Sequence, residues 1–329
     1  MRCRGLPFVS SRVWSVLAAV VASTSVFLAG TTGTSSAVLR GPAHSASPLV
    51  WVALEDDGQV ALVNVVTGQV IRRVSTPGGP HNITVAGDGT VVVALWASDR
   101  IAIVRRHARF VTLGGAPHDV KISRRMIVVA NQGAARIDRV RLDGTVLSPI
   151  HLRANPHDLA IAPDGERAWV TLEGSDDLAV IHLRDRTVRY VSTGQRPHDL
   201  LFAPDGRLWV TDWTGALHVF RGGTRVLTIP VGDEAHHLAF APNGEEAWIT
   251  DHGLDRAFVL TVRPVDRIDA RAVPGSPHHV AVTVNGRWVV VADHDNGTLV
   301  VFDAETHRRV RIIEVGGGPH GVWAVPVKA

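Results

Sequence analysis

The sequence has few of the residues that build many common sites. Its 329 residues contain one cysteine, one tyrosine and two methionines. The only cysteine is Cys3, so the rest of the chain can form neither a disulfide nor a zinc site based on paired cysteines. It also has no recognisable Ser-His-Asp triad, phosphate-binding glycine loop or amphipathic helix for a partner. A chain of this kind must be stabilised by packing.

Acidic residues are missing from the first 37 positions, which contain Arg2, Arg4 and Arg12. Beyond that segment 31 basic residues stand against 31 acidic ones, so the formal net charge of +3 is local. A neutral body exerts little electrostatic attraction on phosphate backbones. We therefore expect no nucleic-acid partner.

The first 37 residues follow the pattern of a secretory signal. The arginines precede a largely apolar stretch at residues 13–28, and small residues at 35–37 offer a cleavage site. The alternative is an uncleaved membrane anchor, because the apolar run is only slightly short for a span. We expect a secreted or extracytoplasmic protein without a span in its mature chain. Residues 38–48 would be a flexible lead-in, and 49–329 the folded domain.

A short motif of proline and histidine returns along the rest of the chain at intervals of 37 to 42 residues. Its copies are Pro80-His81, Pro117-His118, Pro156-His157, Pro197-His198, Ala235-His236 (without the proline), Pro277-His278 and Pro319-His320. A period near forty residues is typical of repeat architectures. In the copy that begins at His157, alternating apolar segments and the Asp164-Gly165 turn predict four short antiparallel strands. Four strands per repeat describe one blade of a β-propeller.

The two ends of the chain complete this pattern. Residues 49–76 contain second, third and fourth strands without a first, and residues 320–327 form a first strand with nothing after it. The sequence therefore predicts an all-β fold, a seven-bladed β-propeller whose N- and C-terminal strands share one blade. In the second copy Arg125-Met126 replaces the turn pair, so its first hairpin is expected to be irregular.

Tryptophans recur in the predicted second strands, where large flat side chains suit the space between adjacent blades. They are Trp51, Trp169, Trp209, Trp248 and Trp288. Trp96 and Trp213 differ, because they fall in loops predicted to surround the channel. Those two either stack on a flat ligand or cap the blade edges.

The repeat Pro-His-Asp-Leu-x-x-x-Pro-Asp-Gly-x-x-Trp-Val-Thr, seen at residues 197–211, resembles the YVTN-type β-propeller repeat. It is also similar to the repeats of virginiamycin B lyase-like propellers, which inactivate streptogramins on a seven-bladed scaffold. The resemblance covers nearly all of residues 49–329. It is specific for the fold, whereas one propeller scaffold hosts many activities.

The histidine of each repeat precedes or opens a first strand, and first strands line the channel of a propeller. We therefore predict a ring at one channel mouth, formed by His81, His118, His157, His198, His236, His278 and His320. Neutral imidazoles held close together are good ligands for copper or zinc, and depressed pKa values would keep them neutral. In the alternative interpretation each histidine bonds a neighbouring backbone or points into a wet channel.

The last three blades concentrate further candidate ligands around the same mouth. They are Glu234, His237, Asp251, His252, His279, Asp293 and His294. Acidic and histidine side chains together are typical of metal sites, although the spacing matches no recognised zinc motif.

The lyase resemblance has its own implications. In that family two histidines one blade apart and two glutamates surround a magnesium ion and the ester linkage, and the ring opens by elimination. The matching residues would be His198, Glu234 and His236, with His236 carrying the proton. Glu234 and Asp251 would hold the metal. Asp251 stands where the family has a glutamate, and Ala235 stands in place of its proline.

Together these patterns predict an exported β-propeller binding protein with a histidine-rich ligand or metal site at the channel mouth. One alternative is a metal-dependent lyase that cleaves a cyclic ester by C–O elimination. A second is a copper-binding or redox-related propeller. Magnesium, copper and zinc are the candidate metals, and a small molecule or a cell-envelope partner is the candidate ligand. The protein is expected to be a monomer.

Overall fold

The structure is a computed structural model that describes residues 48–194 and 196–326. These residues form 28 β-strands and two single-turn 3₁₀ segments, Trp96–Ser98 and Gln132–Ala134. Within them, no helix has the length and apolar character needed to cross a membrane. The predicted signal segment, and the predicted lead-in apart from Pro48, lie outside the described residues.

The strands are grouped into seven four-stranded antiparallel sheets, numbered here as blades I to VII. Blade I contains β1 (Leu49–Leu54), β2 (Gln59–Asn64), β3 (Gln69–Ser75) and the last strand of the chain, β28 (Pro319–Ala324). Blade II contains β4 (Pro80–Val85), β5 (Val91–Leu95), β6 (Arg100–Val104) and β7 (Ala108–Thr112). Blade III contains β8 (Pro117–Ser123), β9 (Met126–Asn131), β10 (Arg136–Arg141) and β11 (Val146–His151).

The remaining four blades follow in chain order. Blade IV contains β12 (Asn155–Ile161), β13 (Arg167–Glu173), β14 (Asp177–His182) and β15 (Val188–Ser192). Blade V contains β16 (Pro197–Phe202), β17 (Leu208–Asp212), β18 (Ala216–Arg221) and β19 (Thr224–Pro230). Blade VI contains β20 (Ala235–Phe240), β21 (Glu246–Asp251), β22 (Arg256–Thr261) and β23 (Asp266–Ala272). Blade VII contains β24 (Pro277–Val282), β25 (Trp288–Asp293), β26 (Thr298–Asp303) and β27 (Arg309–Glu314).

Blade I is built from both ends of the described chain. Its strand order is β28-β1-β2-β3, and Val52 of β1 pairs with Val322 of β28. This confirms the predicted seven-bladed all-β propeller whose terminal strands share a blade. Closure of the ring leaves only the short outer strands as free sheet edges, which limits pairing with other chains.

The hydrophobic core lies between neighbouring blades. Trp209 of blade V and Trp248 of blade VI are fully buried, and each packs against the next blade. Blades II, III and VII differ, because valines occupy the tryptophan position; in blade VII Val290 pairs with Ala281, and Trp288 lies two residues earlier on β25. By strand register Val92 pairs with Thr84 and Val128 with Lys121, just as Trp169 pairs with Ala160.

The first hairpin of most blades turns at a glycine with positive φ, as the Asp-Gly and Asn-Gly pairs predict. These glycines are Gly89, Gly165, Gly206, Gly244 and Gly286, with φ between +67° and +84°. Blade III departs from them, as expected from its sequence. Ser123 pairs directly with Met126, so a tight two-residue turn remains in which Arg124 has φ +55°.

Candidate metal centre

Each innermost strand changes register at its histidine. In β4, Pro80 pairs with Leu95 and Ile83 with Val93, so His81 and Asn82 together oppose a single residue. Such a bulge redirects a side chain out of the regular alternation of a strand. A register shift occurs at this place in all seven inner strands. The repeat therefore delivers one imidazole per blade to the channel.

The seven imidazoles form a closed ring. Neighbouring ring centroids are 3.6 to 5.2 Å apart around the full circle. The members are the seven histidines predicted from the repeat: His81, His118, His157, His198, His236, His278 and His320. The shortest step, His81 to His320, closes the ring between the first and last copies of the motif.

Threonines of the second strands hold the ring in place across blade boundaries. The hydroxyl of Thr171 donates to the carbonyl oxygen of His198 in the next blade at 2.7 Å and accepts from the backbone N–H of Asp158. Thr211 and Thr250 make the same contacts one and two blades further on. The Trp-Val-Thr part of the repeat is thus a structural support of the ring.

A second tier lies directly beneath the ring and is formed by the residue after each histidine. Its members are Asn82, Asp119, Asp158, Asp199, His237, His279 and Gly321. The side-chain amide of Asn82 donates to Asp158 at 2.7 Å, and its oxygen lies 2.8 Å from Nε2 of His279. Gly321 lacks a side chain for a steric reason, since a Cβ there would lie 2.4 Å from the carbonyl oxygen of His81.

The acidic members of this tier were not identified by the sequence analysis. Asp119 and Asp199 accept backbone N–H bonds from the next blade, from Leu159 and Leu238 respectively. Lys121 lies 2.6 Å from Asp119 and forms a buried ion pair. The sequence did contain a sign of these residues, because an aspartate follows Pro-His in three copies of the motif. It was interpreted as a structural part of the repeat.

Most histidines of the ring have an imidazole nitrogen without a hydrogen-bond partner. Within the described residues, Nδ1 of five ring histidines is buried with no hydrogen-bond partner. They are His81, His198, His236, His278 and His320. Nε2 of His237 and of His252 has the same status. Buried polar atoms are normally paired, so unpaired ones at one place point to a ligand.

Burial keeps most of these imidazoles neutral. It lowers the pKa of His278 to about 2, that of His279 to about 3 and that of His252 to about 4, and neighbouring histidines add to the effect for all three. The pKa values of His198 and His236 also lie well below the ordinary range, for the same causes. An unprotonated imidazole is the form that binds a metal.

Blades III and IV provide a different environment. Burial opposes protonation of His157, but the Asp158 carboxylate 3.1 Å from its Nδ1 outweighs this and raises its pKa. Nδ1 of His118 lies 3.2 Å from the carbonyl oxygen of His157. The alternative interpretation was that each ring histidine bonds the backbone of a neighbouring blade. Among the ring histidines, the side chain of His118 alone does so.

Several groups of side chains have potential ligand atoms within 4.8 Å of one another. Two of them consist of histidine alone: His198 with His236 and His237, and His236 with His252 and His278. His236 belongs to both. Mixed groups combine Glu55 with His81 and His320, His118 with His157 and Asp158, and Asp158 with Asp199 and His237.

Asp199 is placed to orient His237. Its Oδ2 lies 3.3 Å from Nδ1 of His237, which leaves Nε2 of that imidazole free and buried. A carboxylate on the far nitrogen is the usual support of a metal-binding histidine. Burial and the nearby Asp158 raise the pKa of Asp199, an effect that a cation at His237 would oppose.

The other predicted acidic ligands are engaged by nearby loops. Oδ2 of Asp251 accepts the backbone N–H groups of Asp233 and Glu234, and its Oδ1 accepts that of Leu254. Asp293 is engaged by Asn296 and Thr298. Among the described residues, Asp251, Asp293, Glu234 and His294 take part in none of the close ligand groups. His294 contributes a ring contact instead, 4.5 Å from His278.

The two loop tryptophans lie beside the ring. Trp213 meets His198 edge-on at 4.5 Å and also contacts His236 and His252. Trp96 is more exposed and donates its indole N–H to Glu55 at 2.7 Å. Glu55 was not predicted as a site residue. Burial raises its pKa, and the bond from Trp96 and the nearby His294 act in the opposite direction.

These features define a closed seven-bladed propeller with a histidine-lined channel. The family model described as YNCE-like beta-propeller matches residues 9–328, and the chain belongs to this family. A search of curated proteins found no significant match.

Solved structures with the same fold come from proteins of different activities. The periplasmic gluconolactonase of Pseudomonas aeruginosa superimposes with a TM-score of 0.73 at 21% identity, over 84% of this chain and 99% of that one. Hydrazine synthase of Kuenenia stuttgartiensis gives 0.67 at 18% identity, over 77% and 94%. Virginiamycin B lyase of Staphylococcus aureus gives 0.63 at 16% identity, over 71% and 83%. At these identities the likeness shows the fold alone.

Proposed function

We propose that this protein is an exported binding protein that holds a copper or zinc ion in the histidine-lined mouth of its channel. Export rests on the signal pattern of the first 37 residues. One observation carries the metal assignment. His198, His236 and His237 are buried, have ring nitrogens without partners, and place potential ligand atoms within 4.8 Å of one another.

The donor chemistry selects the class of ion. Neutral imidazole donates a lone pair, so this part of the ring suits a cation better than an anion. Imidazole is a ligand for copper and zinc, whereas magnesium prefers oxygen ligands and keeps several waters. The histidine-only groups around His236 therefore favour a transition metal.

The lyase-like alternative has less support. It requires Glu234 and Asp251 to hold magnesium, but both oxygens of Asp251 already accept backbone N–H groups from two neighbouring loops. The lyase is similar to this chain only at the level of fold. A proton carrier at His236 would also need a pKa nearer to neutrality than burial allows.

The direct test is elemental analysis of the protein purified without chelator and without a histidine tag. We expect near-stoichiometric copper or zinc, or uptake of one equivalent when Cu(II) or Zn(II) is supplied. His236→Ala should remove it, whereas His107→Ala, at an exposed histidine outside the channel, should not. Absence of bound transition metal after both ions have been supplied would overturn the proposal.

A further inference from the structure

Apart from the histidine-lined channel mouth, the propeller has a cavity on its opposite face. It has a volume of about 590 Å³ and is enclosed by the first and last hairpins of blades III and IV. Because the strands alternate in direction, these hairpins are at the far end of the blades from the Pro-His motif. The cavity is therefore independent of the candidate metal centre.

The cavity coincides with a gap in the repeat. Val128 occupies the position that is tryptophan in four of the seven blades, and its side of β9 faces blade IV. Met126, two residues away on the same face, lines the cavity. Blades II and VII also have a valine there, but Ile122 and Leu142 pack in the cluster of Val92, and Trp288 packs in the cluster of Val290.

In three other blades a tryptophan of the second strand is covered by an arginine. Arg189 lies 5.3 Å from the ring of Trp169, and Arg287 lies 4.8 Å from that of Trp288, which is two residues before the equivalent position in blade VII. Arg72 and Trp51 form a third such pair at 5.8 Å. The junction of blades III and IV has arginines but no indole, so the flat partner of the guanidinium groups is missing.

The charge of the cavity is strongly positive. Five arginines line it against two carboxylates, Asp143 and Glu166. Arg124 pairs with Glu166 at 3.1 Å, and Arg139 is bound to backbone carbonyl oxygens. Arg125, Arg141 and Arg184 are exposed, and none has a side-chain hydrogen bond or ion pair within the described residues.

We infer that this cavity binds a small organic anion with a flat apolar body, such as an aryl phosphate, sulfonate or carboxylate. The body would occupy the space that an indole fills in other blades, against the apolar side chains of Met126, Leu147 and Leu183. Guanidinium groups stack on flat rings and bind phosphate or carboxylate in a bidentate manner. The three arginines without partners supply that contact.

The test uses phenyl phosphate as the probe, with phenol and inorganic phosphate as its two halves, in calorimetric titrations of the whole protein. Phenyl phosphate should bind with one site per chain and at least tenfold more tightly than either half. Val128→Trp, which introduces the tryptophan found at this position in four other blades, should abolish binding. The double variant Arg125→Ala, Arg184→Ala should weaken it at least tenfold.

Arg308→Ala, Arg309→Ala serves as the matched control, because it removes two exposed arginines far from the cavity and should leave binding unchanged. If Val128→Trp does not fold, the surface double variant decides the question. Absence of binding, equal binding of phosphate alone, or binding that survives the double variant would overturn the inference.

Discussion

The two sides of the histidine ring are built from one repeated motif but have different chemistry. On the side of blades III and IV, His157 is held by Asp158 and His118 by a backbone carbonyl. On the side of blades V to VII, His198 and His236 are buried and His278 is half-buried, and their Nδ1 atoms have no partner among the described residues. The first side favours a proton at His157, and the second presents unpaired ring nitrogens to a ligand.

The difference comes from which imidazole each second-tier side chain contacts: Asp158 contacts His157, whereas Asp199, which follows His198, contacts His237 of the next blade. At Asp158 a carboxylate lies close enough to raise the pKa of the imidazole above it. At His237 and His279 the second tier adds further neutral rings, which stack on each other at 3.4 Å. The repeat therefore keeps its histidine in every blade, while the residue after the histidine varies and changes the chemistry around it.

The largest expected effect is the pH dependence of stability. His252, His278 and His279 have folded pKa values of about 4, 2 and 3, below the ordinary value near 6.5. The unfolded chain thus binds more protons below pH 6.5, and the free energy of unfolding falls as the pH falls. Between pH 6.5 and 5 each should cost about 1.6 kcal/mol, about 5 kcal/mol together.

His157 acts with the opposite sign, because its raised pKa adds stability below the unfolded value that is lost as the pH rises through the folded one. Urea denaturation of the metal-free protein at several pH values measures the balance. If the free energy of unfolding did not change between pH 6.5 and 5, His252, His278 and His279 would not be buried as described.

The second largest effect on stability is expected from removing the Asp158 carboxylate beside His157. Burial opposes ionisation of Asp158, but His157 and His118 together lower its pKa well below the ordinary range. Asp158→Asn should lower the pKa of His157 and destabilise the fold by about 3 kcal/mol, the scale for breaking a buried charge pair. Histidine NMR titration and urea denaturation measure both changes.

A matched control is Asp185→Asn, which removes an exposed carboxylate next to His182. Its effect on stability should stay below about 0.5 kcal/mol. Equal effects of the two substitutions would contradict the view that Asp158 determines the character of its side of the ring.

Metal affinity should separate the two sides directly. His236→Ala removes the imidazole shared by both histidine-only groups and should weaken Zn(II) or Cu(II) binding at least a hundredfold, about 2.7 kcal/mol. His118→Ala, on the other side, should weaken it less than tenfold. Competition with a chromogenic chelator measures both, and a larger loss for His118→Ala would reverse the assignment.

The smallest effect tests the support of the ring. Thr211→Val keeps the side-chain shape but removes the bonds to the His236 carbonyl and the Asp199 N–H. A loss of about 1 to 2 kcal/mol is expected from two buried bonds. Thr224→Val, at an exposed threonine of β19, should change little. Thermal unfolding compares the two variants, and equal shifts would count against the bridging contact.

The sequence determined the blade count, the shared terminal blade and the membership of the ring, because each follows from a forty-residue period and from the position of His81 to His320 within it. These properties need only local strand patterns and the covalent order of the repeats.

Tertiary structure decided which imidazoles have partners. Asp251 was expected at the metal from its place in the repeat, yet its oxygens are used by nearby backbone N–H groups. Asp158 and Asp199 read as ordinary repeat positions, yet they lie beside His157 and His237. Such contacts depend on the geometry of the bulge and on the position of the adjacent blade. Neither can be derived from the sequence of a single repeat.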